Sequence, residues 1–210
     1  MPIAPLKYTG CTNFRQRLVL ATLSNRSIVI TSIRARDHSP GLKDFEANFL
    51  RLLDKLVNGC VIEINETGTS LRYTPGFIVG GKLEHDCGTG RSIGWFLEGI
   101  LPLAPFGKKP LSLALKGVTN DDVDFTIDTL QALHLPAMGY FGVREGLALE
   151  VKHRGCAPGG GGQVYFSCPA VRELKAINFT EEGFVKKVRG IAYSCKVSPL
   201  VANRIIDGTR

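Results

Sequence analysis

The same order of elements occurs twice in this chain, and that repetition limits the folds open to it more than any single motif does. A helical stretch over 14–23, carried by Leu18, Leu20 and Leu23, precedes a β-branched strand over 27–33. A charged loop follows, Arg34-Ala35-Arg36-Asp37-His38. Ser39-Pro40-Gly41 then predicts a helix start, with the serine as N-cap and the proline at the first helical position. Leu42, Phe45, Phe49, Leu52, Leu53, Leu56 and Val57 recur at helical spacing, and Asn58-Gly59 is a stop signal. Two strands, 60–65 and 70–74, close the series around the turn Glu66-Thr67-Gly68-Thr69. The order returns about 80 residues later: a glycine-rich start and helix over 88–103, a strand over 111–116, a polar loop over 117–122, a helix over 125–138 that Pro136 should end early, and strands over 147–153 and 163–168. Residues 6–8 and 76–79 are the candidates for an opening strand of each copy. The expected fold class is therefore α/β in the α+β sense: tandem β-α-β-α-β-β repeats, each with two helices packed on a four-stranded sheet.

Composition agrees with a globular chain. Hydrophobic residues are 44% of 210, enough for a real core. The richest apolar run, 95–106, is broken by Glu98, Gly99, Pro102 and Pro105, so no membrane span and no membrane partner are expected. The N-terminus shows no apolar secretory core. The net charge of +7 suits a phosphate-bearing partner and equally a solvated basic surface. Of the six cysteines, Cys11, Cys60, Cys87, Cys156, Cys168 and Cys195, none stands in a C-x-x-C pair or at zinc-ligand spacing with the four histidines. They read as reduced thiols, and no metal is expected. After Pro169 the pattern changes: Lys186, Lys187 and Arg189 cluster, and a helix starting at Ser198-Pro199 runs to Arg210 without a stop signal, as in a chain cut inside an element.

Four segments carry candidate chemistry. Arg154-Gly155-Cys156-Ala157-Pro158 leads into Gly159, Gly160, Gly161 and Gly162, with Lys152 just upstream. Such glycines can aim backbone N–H groups at an anion, or can let two backbones approach closely in a tight turn. It is not a P-loop, since neither Gly-Lys-Ser/Thr nor a helix follows. Arg34 and Arg36 follow a strand and precede a helix, with Arg15 and Arg17 on the preceding helix; they could meet a phosphate together, or pair with Asp37, Asp44 and Glu46. Glu84-His85-Asp86-Cys87 invites a general base, but neighbours on a strand face opposite ways. It runs on through Gly88-Thr89-Gly90 to Arg91, a further candidate cation. Asn120-Asp121-Asp122-Val123-Asp124 suits either a hard cation or, more simply, a helix cap.

Ile33-Arg34-Ala35 followed by Pro40-Gly41-Leu42, then Leu101-Pro102, Lys116-Gly117-Val118-Thr119-Asn120 and the 154–162 loop, resemble the RNA 3′-terminal phosphate cyclase superfamily in order along the whole chain. Arg15-Gln16-Arg17-Leu18-Val19-Leu20, Arg34-Ala35-Arg36-Asp37, Glu84-His85-Asp86-Cys87 and Val197-Ser198-Pro199 with Ala202-Asn203-Arg204-Ile205 look like its eukaryotic cyclase-like branch. The resemblance implies three such repeats with a small α/β domain inserted before the third. On that basis residues 1–83 are the first repeat, 84–183 the second, and 184–210 the start of the inserted domain. It further implies a nucleolar factor of small-subunit ribosome assembly that supports early pre-rRNA cleavage. Its partners would be a large ribosome-assembly GTPase, other proteins of the pre-ribosomal particle, and pre-rRNA.

Departures from the family pattern bear on chemistry. The adenylated histidine of the cyclases belongs to a part of the pattern beyond Arg210. Asp44, Phe45 and Glu46 stand where the cyclases carry a basic residue, glutamine and histidine. Asp37 replaces an arginine, Glu98 a glutamine, and Asp124-Phe125-Thr126 an Ala-Pro-Pro. Carboxylates in place of cations and amides repel a triphosphate. The expectation is thus a non-cyclising protein with no cofactor and no catalytic residue in this chain. Its candidate phosphate or RNA contacts are Arg15, Arg34, Arg36, Arg91, Lys152, Arg154 and Gly159 to Gly162. The alternative is an active enzyme on RNA, an endonuclease or an ATP-dependent cyclase.

Overall fold

A computed structural model describes residues 4–181, 183–194 and 197–209, so Cys195 and the chain end at Arg210 lie outside the described residues. Contacts divide the chain into two compact units, Met1–Ile177 and Asn178–Arg210. The first contains both repeats. Strands β1 (Leu6–Thr9) and β2 (Ile28–Thr31) are joined by helix α1 (Phe14–Ser24); helix α2 (Asp44–Leu56), a two-residue strand β3 (Val57–Asn58), and strands β4 (Val61–Ile64) and β5 (Leu71–Thr74) follow. After β6 (Phe77–Ile78), the second copy runs through β7 (Gly81–Asp86), α3 (Ile93–Ile100), β8 (Leu111–Gly117), a long helical segment, β9 (Ala148–His153) and β10 (Gly162–Cys168).

The two sheets share one topology. Their orders are β1-β2-β5-β4 and β7-β8-β10-β9. In each, the first pair is parallel, as a crossover helix requires, and the remaining pairs are antiparallel. Period-two patterning sets the faces: Ile28, Ile30, Leu71 and Tyr73 point into the core of the first copy, and Leu113, Leu115, Val164 and Phe166 into that of the second. One hydrophobic cluster spans both repeats. Helix α2 makes the join. Its Phe49 ring is fully buried, 5.4 Å from Trp95 and 6.3 Å from Phe96 by centroids. From the same helix Asn48 Nδ2 donates to the Asp86 carbonyl (2.9 Å) and Lys55 Nζ to that of Glu84 (2.8 Å), along β7.

Three element boundaries differ from expectation. Helix α2 starts at Asp44, not at Ser39-Pro40-Gly41. Gly41 sits at φ +88° with its N–H on the Ile33 carbonyl, and Leu42 N–H bonds Gly68; the chain is tied to the 66–69 turn before it can coil. A Cβ on Gly41 would stand 2.5 Å from the Thr67 carbonyl oxygen. The second repeat opens with Gly81–Asp86 and not with 76–79, because Phe77 and Ile78 pair instead with β3. Pro136 does not end its helix: α4 (Ile127–Thr129) continues through a π-helical turn, Leu130–His134, into α5 (Leu135–Tyr140). A proline ring collides with the carbonyl four residues back in a regular α-helix, and the wider turn falls just ahead of it.

The second unit contains helix α6 (Leu200–Thr209), and the described residues before it in that unit have no regular secondary structure. Among the described residues no helix is long and apolar enough to cross a membrane.

Candidate functional site

Arg91, Trp95 and Glu98 stand near i, i+4 and i+7 at the start and along one side of α3, and α1 brings Arg15 against them. Arg15 Nη1 donates to the Trp95 carbonyl (2.5 Å), Nη2 pairs with Glu98 (2.5 Å), and the guanidinium lies 4.9 Å from the Trp95 ring centroid. Arg91 lies 5.6 Å from the Trp95 ring centroid and 5.3 Å from that of Phe45. Its Nε donates to Asp124 Oδ2 (2.8 Å) and its Nη2 pairs with Oδ1. Asp124 is presented by a loop that Asp121 shapes, accepting from the N–H of Val123 (3.1 Å) and of Asp124 (2.7 Å). Gly94 makes that loop's approach feasible, since a Cβ there would fall 1.8 Å from the Phe125 carbonyl oxygen.

The result is a cleft of about 380 Å³ lined by Arg15, Arg91, Trp95, Glu98 and residues 121–125. Burial lowers the Arg15 pKa while Glu98 pulls it back up; the hydrogen bond to Asp124 raises that of Arg91. Two arginines face four carboxylates, Glu98, Asp121, Asp122 and Asp124. The lining is thus negative overall, and it does not fit a polyphosphate.

The other expected phosphate contacts are dispersed. Arg34, at φ +45°, makes a bidentate pair with Glu46 (2.7 and 2.8 Å) and donates to the Gly41 carbonyl (3.1 Å). Glu46 also accepts from Lys43 N–H (2.9 Å), completing the start of α2, and its hydrogen bond raises the Arg34 pKa. Of the carboxylates open to this arginine in sequence, Glu46 is the one used. Arg17 turns away to the Gly10 carbonyl (2.9 Å) and the Tyr8 ring. Arg154 is bidentate to Asp128 (2.7 Å to each oxygen), and Lys152 pairs with Glu150 (2.8 Å). Arg36 is exposed with no ion pair among the described residues. Of these candidate cations, Arg15 and Arg91 are the pair that line the cleft described above.

Gly159, Gly160, Gly161 and Gly162 fold against the end of β8. Gly160 N–H bonds the Cys156 carbonyl (2.9 Å), Thr119 N–H bonds that of Gly155 (2.7 Å), and a Cβ on Gly162 would stand 2.6 Å from Thr119 Cγ2 and 2.8 Å from the Gly117 carbonyl oxygen. Close backbone approach is therefore present in this loop. Lys116 and Asp86 flank it.

His85 points into the core between exposed Glu84 and Asp86, 6% accessible, with neither ring nitrogen hydrogen-bonded. Burial, then the Lys55 ammonium, pushes its pKa down to about 4. Burial likewise raises that of Cys87 far above the ordinary thiol range. A neutral imidazole sealed against Phe96 and a protonated thiol offer no general base and no nucleophile to solvent. Trp95, the platform on which the cleft is built, was not among the sequence candidates; the Arg91, Trp95, Glu98 spacing on a helix is the signal that marks it.

Two copies of a β-α-β-α-β-β unit sharing one core, with arginine–carboxylate pairs where they meet, define a tandem-repeat α+β protein. The chain belongs to the RNA 3′-terminal phosphate cyclase family, whose model matches residues 6–206. It is 55% identical over 206 residues to the RNA 3′-terminal phosphate cyclase-like protein of Homo sapiens, covering 98% of this chain and 55% of that protein. An rRNA processing protein of Schizosaccharomyces pombe is 48% identical over 206 residues, covering 97% of this chain and 57% of that one. One of Saccharomyces cerevisiae is 44% identical over 208 residues, covering 97% and 56%. The chain spans about half the length of the curated relatives it matches.

Proposed function

We propose that this protein acts in rRNA processing as a non-cyclising member of its family. It works in the nucleolus, within the small-subunit assembly machinery, by holding a large ribosome-assembly GTPase, other pre-ribosomal proteins and pre-rRNA in place. Relatives named for rRNA processing support the biological setting. The observation that carries the non-cyclising part is the internal pairing of the arginines. Arg15, Arg34 and Arg91 each meet a carboxylate of this chain, Glu98, Glu46 and Asp124, at positions where the cyclase pattern has no acid. A triphosphate entering the cleft must displace the Arg15 and Arg91 pairs and still face two further carboxylates, Asp121 and Asp122.

Thermal unfolding of the full-length protein with and without ATP and Mg²⁺ tests the first half, because a ligand stabilises only the state that binds it. The expected outcome is no change in Tm. A saturable rise, with AMP recovered covalently on the protein, overturns the reading. Affinity purification from nuclear extract, followed by mass spectrometry and RNA sequencing, tests the second half. Recovery of an assembly GTPase with small-subunit precursor RNA is expected; recovery of neither rejects the assembly role.

A further inference from the structure

The chain's positive charge is not concentrated in the cleft, where each arginine is neutralised. It is free elsewhere, on the β3–β6 ribbon and the segment that runs beside it. Phe77, at the start of β6, is 66% exposed, although its strand partner register is set only by backbone pairing with Asn58. The Lys108 ammonium lies 4.9 Å from the centroid of this ring. Lys109 is adjacent and exposed. Neither lysine has an ion pair among the described residues, in contrast to Arg15, Arg34, Arg91 and Arg154. Residues 75–83 and 99–112, which build this surface, contain no acidic residue and include Lys82, Lys108 and Lys109.

The surface is also rigid. Lys108 N–H bonds the Ile78 carbonyl (3.0 Å), Lys109 N–H that of Val79 (2.9 Å), and Val79 N–H that of Leu56 (3.0 Å), so three backbone segments are laced side by side. Gly80 lets them touch: it lies at φ +75°, and a Cβ there would fall 2.1 Å from the Lys109 carbonyl oxygen. A large ring is thus held open to solvent on a stiff base, with the Lys108 ammonium over it. Burying Phe77 would remove apolar area from water, yet nothing in the unit covers it.

We infer that this ribbon is a contact site for single-stranded RNA, with the Phe77 ring stacking on a base and Lys108 and Lys109 meeting the adjoining phosphates. Exposed rings next to lysines bind unpaired strands because every base has a π-face and every nucleotide a phosphate. An apolar protein partner would favour a cluster of exposed apolar side chains without free cations, whereas charge complementarity here favours a polyanion. The site lies outside the arginine–carboxylate cleft and goes beyond the rRNA-processing reading; a test with purified protein and synthetic RNA stands whether or not that reading holds.

The test is fluorescence anisotropy of a labelled oligouridylate with the full chain across a series of salt concentrations. Phe77→Ala should weaken binding about tenfold, Phe77→Leu nearly as much, and Phe77→Trp should restore it. Lys108→Ala and Lys109→Ala should each reduce the slope of log K against log salt by about 0.7. All five variants change one of three exposed side chains, so Tm should stay constant and report that the fold is intact. Unchanged affinity in Phe77→Ala, or no oligouridylate binding by the parent chain, overturns the proposal. Full affinity in Phe77→Leu, with polyglutamate displacing the RNA as well as unlabelled RNA does, reassigns the surface to an acidic protein partner.

Discussion

The imidazole of His85 occupies a place that an apolar side chain would fill without cost. Both nitrogens are buried and unbonded, and the ring packs on Phe96, 6.0 Å away by centroids. An unsatisfied buried polar group destabilises by about 1–3 kcal/mol. The same burial makes the residue sensitive to acid. Its folded pKa of about 4 lies below the ordinary value of 6.5. Between those two values the unfolded chain binds a proton that the folded chain refuses, so stability falls as pH drops from about 6.5 to about 4 and is unaffected by this group above that window. The full loss is about 3 kcal/mol. His85→Leu should therefore keep or raise Tm at neutral pH and should flatten the decline of denaturation midpoint with acid. A parallel decline in parent and variant would show that His85 does not control it.

At the scale of elements, α3 is built to be enclosed. Ile93, Phe96, Leu97 and Ile100 are completely buried, and Trp95 nearly so. Gly94, a poor helix former, is tolerated because the Phe125 carbonyl approaches there. Gly94→Ala improves helix propensity by up to about 1 kcal/mol. It should nevertheless lower stability, since backbone must move to admit the methyl, and it should shift the loop that carries Asp124. The checks are a lower urea midpoint and a changed Trp95 emission. A raised midpoint would mean that the loop yields freely. This contact was not legible in the sequence, because it joins residues 31 positions apart through a carbonyl. The periodicity of α2 was legible, for its apolar positions answer to one local rule. Its start was not: the Ser39-Pro40-Gly41 signal is locally sound, but Gly41 and Leu42 are held by Ile33 and Gly68 from outside the segment. The same limit hides β7, since nothing local tells 76–79 that β3 is its partner.

At the scale of the whole molecule, the repeats are duplicated in topology but single in packing. Phe49 from the first repeat is covered by Trp95 and Phe96 from the second. Phe49→Ala should cost about 3–5 kcal/mol. It should do so in one transition, with far-ultraviolet ellipticity and Trp95 fluorescence lost together. Two separated transitions would show that the repeats unfold independently. The candidate site follows the same division between local and distant information. The acids at Glu46, Glu98 and Asp124 are visible in the sequence as carboxylates where the cyclase pattern has none. That they close upon Arg34, Arg15 and Arg91 depends on chain segments 12, 83 and 33 residues apart meeting in space.

The seat of α2 across both repeats also sets an order of events during synthesis. The helix is complete once Leu56 has been made, but the strand beneath its polar flank ends at Asp86, and the helix bearing the rings that cover Phe49 ends at Ile100. At ribosomal speeds of about 5–20 residues per second, those further residues take roughly two to nine seconds to appear. For that interval the nascent first repeat presents Phe49 to the cell without the rings that cover it. Slow codons placed between these points lengthen the exposure, and a chaperone that recognises apolar helices has its opportunity there.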